Sequence, residues 1–153
     1  MAAAEDAAKE QAVAWARATV EQAVQLFIDR GVLETPLLEA KPAWGIPPAA
    51  LIITLREKGA RPSFWLIYGR DVPFDYLASS AAASPREAAR HFALKWHLEA
   101  ARMQESHAAR AAPEEDAGPD PPAAGTRLEA QAARLYRLVD DAGLWRQGWA
   151  ADQ

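Results

Sequence analysis

The sequence predicts an α+β fold: a small antiparallel sheet of two or three strands packed by three main helices, in the order α-β-β-(β)-α-α. Three observations carry that expectation. Alanine-rich stretches near both ends and after the middle of the chain repeat their apolar residues every three or four positions, the helical period. Two short runs rich in β-branched and aromatic residues, "LIITLR" at 51–56 and "SFWLIY" at 63–68, flank the turn-forming "EKGARP". Prolines crowd the segment between the first helix and the first of these runs, where no regular helix survives. A chain of 153 residues is expected to form one domain, 1–153. A domain of about 150 residues buries about 68–70% of its unfolded surface and needs no staples.

The first helix is expected over 5–30. Ala12, Ala16, Val20, Ala23, Val24 and Phe27 make one apolar stripe, Glu5 and Asp6 suit the positive N-terminal end, and Gly31 stands where a C′ glycine stops a helix. The segment 32–50 carries Pro36, Pro42, Pro47 and Pro48. Its "KPAWGIPP" is expected to lie extended across the core, anchored by Trp44. The runs 51–56 and 63–68 pair as a hairpin, and 74–78 can add a short third strand. In the second strand Phe64, Leu66 and Tyr68 alternate with Trp65 and Ile67, so both faces are apolar and both need cover.

"SPRE", Ser84 to Glu87, has the form of a capping box with proline at the first helical position. It predicts a helix to about residue 110, with Ala88, Ala89, Phe92, Trp96, Ala100 and Met103 inward. Residues 111–125, "AAPEEDAGPDPPAAG", read as a flexible acidic, proline-rich loop. "TRLE", Thr126 to Glu129, predicts the start of a last helix over about 127–142, with Leu128, Ala132, Leu135, Leu138 and Val139 inward and Gly143 at its end. In the tail, 144–153, Trp145 and Trp149 either dock on the body or form an exposed patch, docking being the expectation.

Composition removes several chemistries. The absence of cysteine excludes disulfides, thiolate metal sites and cysteine nucleophiles, and fits a reducing cytoplasm. No apolar run reaches the roughly 18 residues of a membrane span. "MAAAEDAAKEQ" lacks the basic start and apolar centre of a signal peptide. The net charge of −4 points away from nucleic acid. His91, His97 and His107 share the long helix, but at about 100° per residue they stand roughly 120° and 160° apart from the first, so that helix alone builds no metal site. Ser84 and His91 are about two turns, or roughly 10 Å, apart, so Ser84 reads as a cap. No G-x-S-x-G, G-x-G-x-x-G or P-loop occurs, and no cofactor is expected. Arg86, Arg90, Lys95 and Arg102 interleave with acids; Lys95 and Glu99 form an i,i+4 pair, as on a solvated face.

"YGRDVPFDYL", 68–77, remains. Asp71 and Asp75 could serve as a general acid and base, as in glycoside hydrolysis. They could equally cap backbone amides around Pro73, with Arg70 paired to one of them. Trp44, Arg70, Asp71, Asp75 and Tyr76 are the candidate binding residues.

The middle of the chain resembles an uncharacterised bacterial family, domain of unknown function 4826. The resemblance rests on Pro42, Ala43 and Trp44; on Gly69, Asp71, Pro73, Asp75 and Tyr76; and on Pro85, Arg86, Glu87, Ala88, Phe92 and Trp96. It covers about residues 42–103. Here Arg70 separates Gly69 from Asp71, which are adjacent in the family pattern. The resemblance implies that the Asp71–Tyr76 turn belongs to a shared architecture and implies no activity.

The expected function is that of a small acidic, cytoplasmic bacterial module that binds another protein without catalysis, as an adaptor or as an immunity protein neutralising a toxin. The rival is a small-ligand binder or hydrolase built on Asp71, Asp75 and Tyr76 with Trp44 as a wall.

Overall fold

A computed structural model describes residues 2–31, 38–57, 62–110 and 121–146. Four antiparallel strands form a meander: β1 (Leu38–Ile46), β2 (Ala50–Glu57), β3 (Pro62–Gly69) and β4 (Val72–Ala78) lie side by side in chain order. Helix α1 (Ala2–Asp29) precedes the sheet; α2 (Pro85–Arg110), α3 (Pro121–Asp140) and the short α4 (Ala142–Arg146) follow it. The α+β expectation holds, with one strand more than the two or three foreseen. None of the described helices is long and apolar enough to cross a membrane.

The extra strand is the proline-bearing segment. β1 pairs with β2 from Leu38↔Glu57 to Ile46↔Ala50, with a register irregularity between Pro42 and Trp44. Proline is tolerated in a sheet at an edge or a bulge, and Pro42 occupies both. The segment therefore extends the sheet rather than covering a face of it.

Strand alternation sorts the side chains between two cores. One face presents Leu51, Ile53, Leu55, Phe64, Leu66, Tyr68, Phe74 and Tyr76 to α1, which contributes Ala16, Ala23 and Phe27. The other presents Trp44, Ile52, Trp65, Ile67 and Val72 to α2 and α3, which contribute Ala88, Ala89, Phe92, Ala93, Trp96, Ala132, Leu135 and Val139. Both faces of β3 are covered, as its sequence required.

The helix ends show which local signals hold. Gly31, at φ 70°, ends α1 where expected. Ser84 Oγ accepts the Glu87 amide at 3.2 Å, and the Glu87 carboxylate accepts the Ala83 amide at 2.9 Å, a capping box shifted by one residue. Met103, expected inward, is 37% exposed although its neighbour on the stripe, Ala100, is fully buried. α3 begins at Pro121 rather than about 127, so 121–125 belong to the helix. Proline suits a first turn, whose amides lack partners in any case. Glu129 is not a capping partner; its carboxylate accepts a 3.1 Å bond from the Gln104 amide. Gly143 does not end the last helix: α3 stops at Asp140, and Asp141 Oδ1 accepts the Gly143 amide at 3.2 Å, which starts α4. Of the expected acidic loop, 111–120 lies outside the described residues, as do Trp149 and the rest of the tail from 147.

Two turns cross at one end of the sheet. The β1–β2 turn contains a cis Pro47–Pro48 peptide. The Arg70 amide donates to the Pro48 carbonyl at 3.1 Å, and the Asp71 amide to the Ala49 carbonyl at 3.0 Å. Gly69 lies beneath this crossing. A Cβ there would collide with the Ala49 carbonyl oxygen and lie 2.7 Å from the Ala50 Cα, both backbone atoms that cannot swing aside. Gly69→Ala is expected to destabilise the protein by ~1–3 kcal/mol, the range for overpacking. A urea midpoint unchanged from wild type would contradict this crossing.

Candidate functional site

Asp75 is the most heavily engaged of the candidate residues. It sits on β4 opposite Ile67, on the sheet face that α2 covers. Its Oδ1 accepts the Lys95 ammonium at 2.8 Å and the Tyr76 amide at 2.8 Å; its Oδ2 accepts the Trp96 indole N–H at 2.8 Å. The Asp75 side chain is 14% exposed and that of Lys95 43%. The carboxylate thus bridges strand and helix, and three protein donors occupy its two oxygens. Lys95, expected to pair with Glu99, reaches across to the sheet instead and also lies 5.7 Å from the centre of the Tyr76 ring.

Tyr76 points the opposite way, as the next residue of a strand must. Its ring meets Phe27 edge-on at 4.9 Å and Phe64 at 6.1 Å, under α1. Asp71 lies in the β3–β4 turn and pairs with exposed Arg70, whose Nε is 3.1 Å from Oδ1. The hydrogen bond from Arg70 lowers the Asp71 carboxyl from its ordinary value against the opposing effect of desolvation, with the charges of Arg70 and Arg134 adding to the lowering. The same hydrogen bond and the Asp71 charge raise Arg70. Asp71 borders a cavity of about 250 Å³ together with Val72, Arg134, Leu135 and Arg137.

Trp44 belongs to a different place again. Its ring stacks on Trp145 at 3.8 Å and 15°, and its indole N–H donates to the Leu144 carbonyl at 3.1 Å. Trp145 donates in turn to the Leu138 carbonyl at 2.8 Å. Trp145 is therefore docked. The structure brings Arg70 and Asp71 together; it places Asp75 and Tyr76 on opposite faces of the sheet, and Trp44 beside α4. No one cavity gathers the five candidates among the described residues.

His91 and His97 are exposed, and among the described residues no group of three or more metal-ligating side chains assembles. Lys95 and Trp96, on Asp75, and Arg86 and Arg146, which line a cavity with Trp44, are the neighbours that sequence reasoning did not attach to the candidates. The apolar stripe of α2 identified Trp96 as inward, but its partner on β4 depends on how helix and sheet are juxtaposed.

Asp75→Asn keeps the size of the side chain but sets an amide against the Lys95 ammonium. With one oxygen left for Lys95 and the buried Trp96 indole N–H, it is expected to cost about 1–3 kcal/mol, the range for leaving a buried donor unsatisfied, read from a denaturant midpoint. Asp71→Asn should leave the midpoint nearly unchanged, since an exposed pair contributes little. Equal effects of the two substitutions would refute the assignment. The Asp71 shift has a definite sign. A carboxyl lowered by folding adds stability that is present above its unfolded value of about 3.9 and is lost as pH falls through the folded value. Carboxyl NMR should show Asp71 titrating below that value, and Arg70→Ala should move it up.

The match to a protein-family model extends well beyond the middle of the chain, covering residues 9–145, from within α1 to the Trp145 that stacks on Trp44. Neither a curated protein nor a solved structure matches the chain. With most of its length inside that match, the chain belongs to the family described as Domain of unknown function (DUF4826).

Proposed function

We propose that this chain is a small protein-binding module that performs no catalysis and acts in the cytoplasm as an adaptor. The observation that carries this reading is on the outer side of α2. Leu94 and Leu98 stand one turn apart and are 45% and 50% exposed. At about 100° per residue they point roughly 120–160° away from Phe92 and Trp96, the residues that hold the helix to the sheet. Single exposed leucines are common, but two on neighbouring turns make a contiguous apolar strip of the kind that docks on a partner. Arg90 and Arg102 are exposed on the same helix and supply a charged rim, which favours specificity and encounter rate.

The engagement of Asp75 by Lys95 and Trp96, and the placement of Tyr76 under α1, support a structural role for the residues that a hydrolase would have needed. The narrower version, a bacterial immunity protein that neutralises a basic toxin, draws support from the net charge of −4 and from Glu114, Glu115, Asp116 and Asp120. Those four residues lie outside the described ones. The absence of cysteine supports the cytoplasm as compartment.

Affinity capture from lysate of the source cell tests the proposal with three baits: the wild type, Leu94→Glu/Leu98→Glu, and a deletion of 113–122. The wild type is expected to retain one stoichiometric protein, and the α2 variant to lose it by tenfold or more, as truncation of a central contact does. Further loss on deleting the acidic segment would favour the toxin-neutralising version. A partner held equally by the wild type and the α2 variant, or no partner at all, would overturn the assignment of this surface.

A further inference from the structure

The stacked indoles of Trp44 and Trp145 form a wall of a cavity of about 480 Å³ between β1, the start of α2 and α4. Ser84, Pro85, Arg86 and Arg146 complete the part that matters chemically. Two features set this cavity apart. It lies within the volume range of small-molecule sites, about 300–1,000 Å³. Among the described residues its lining also carries two guanidinium groups and no carboxylate, in a chain whose 21 acidic residues outnumber its 17 basic ones.

The two arginines are prepared differently. Arg86 is half-buried, and its Nε donates to the Val139 carbonyl at 2.9 Å. That bond fixes the head of the side chain and leaves its terminal nitrogens, four N–H groups, without a protein acceptor among the described residues. Arg146 is exposed and makes no hydrogen bond or ion pair among the described residues. Ser84 Oγ accepts the Glu87 amide and takes no bond from either guanidinium among the described residues. The indole N–H groups of Trp44 and Trp145 both donate to backbone carbonyls, so the wall offers ring surface rather than donors.

We infer that this cavity is a binding site for a small organic anion: a carboxylate or phosphate monoester carried on a flat apolar body. The anionic group would sit between Arg86 and Arg146, where a planar guanidinium can give two parallel N–H bonds. The flat body would lie against the Trp145 side of the indole pair, where stacking on an aromatic face adds to its burial. This site is independent of the strip on α2 proposed as a protein contact, and either assignment can fail without the other.

Titration of the full chain followed by ¹H–¹⁵N NMR tests the site, because each of the six tryptophans gives one indole N–H signal. The probes are 1-naphthoate, 1-naphthyl phosphate and neutral 1-naphthamide. The two anions are expected to move the Trp44 and Trp145 indole signals and to leave Trp65 and Trp96 in place. The tighter of the two identifies the preferred anionic group. Arg146→Gln, at an exposed position that holds nothing in the fold, should weaken the anions about tenfold, equivalent to about 1.4 kcal/mol. The inference is overturned if neither anion moves those two signals at millimolar concentration. It is equally overturned if naphthamide moves them as much, or if Arg146→Gln binds the anions as wild type does.

Discussion

Asp75 can lie against α2 only because three donors from two elements converge on its two oxygens. An ionised carboxylate 14% exposed at a sheet–helix interface would otherwise be costly. Lys95 supplies the charge, while the Trp96 indole and the Tyr76 amide supply directed hydrogen bonds. The arrangement fixes several things at once. It sets the position of α2 along β4, since Lys95 and Trp96 are consecutive and both must reach the same side chain. It orients Trp96, the largest fully buried side chain. By committing β4 to one register, it also sends Tyr76 to the other face, where the ring joins Phe27 and Phe64 beneath α1. Both layers of helices are thus keyed to one strand.

The same device recurs in milder form at three other tryptophans. Alanine lets helices approach closely but buries little area, so the large rings do most of the filling. Each needs a partner for its N–H when buried. Trp44 finds the Leu144 carbonyl, Trp65 the Ala82 carbonyl at 3.1 Å, and Trp145 the Leu138 carbonyl. These bonds tie strand to helix, strand to connection and helix to helix, so the rings set positions as well as fill space. The bond from Trp44 to Leu144 joins residues 100 apart in the chain and brings its last described helix back onto the first strand.

How much of this could be read beforehand divides along a physical line. The stripe of α1, the β2–β3 hairpin, the Gly31 stop and the Ser84 cap depend on neighbours within a few residues, and all were legible. The strand at 38–46 was hidden by its prolines, because whether proline breaks a strand depends on whether the strand is an edge, a property of the whole sheet. The start of α3 was hidden for a related reason: proline density looks like a loop until one proline is seen to fall in a first helical turn. The candidate residues fared similarly. Arg70 and Asp71 were legible as a pair because they are adjacent. Asp75 was legible as important, but its partners Lys95 and Trp96 lie 20 and 21 positions away on another element. The apposition of Trp44 with Trp145, Arg86 and Arg146 draws on three separate segments and had no sequence signature.

The meander leaves two outer strands, and each carries a proline: Pro42 in β1 and Pro73 in β4. Each is also joined to its inner neighbour through a register irregularity, between Pro42 and Trp44 and between Ile67 and Gly69. A further strand adding to either side would meet a position with no amide to donate and an edge twisted by the bulge beside it. The residues that obscured β1 in the sequence therefore also guard the finished sheet against growing from chain to chain into a fibre.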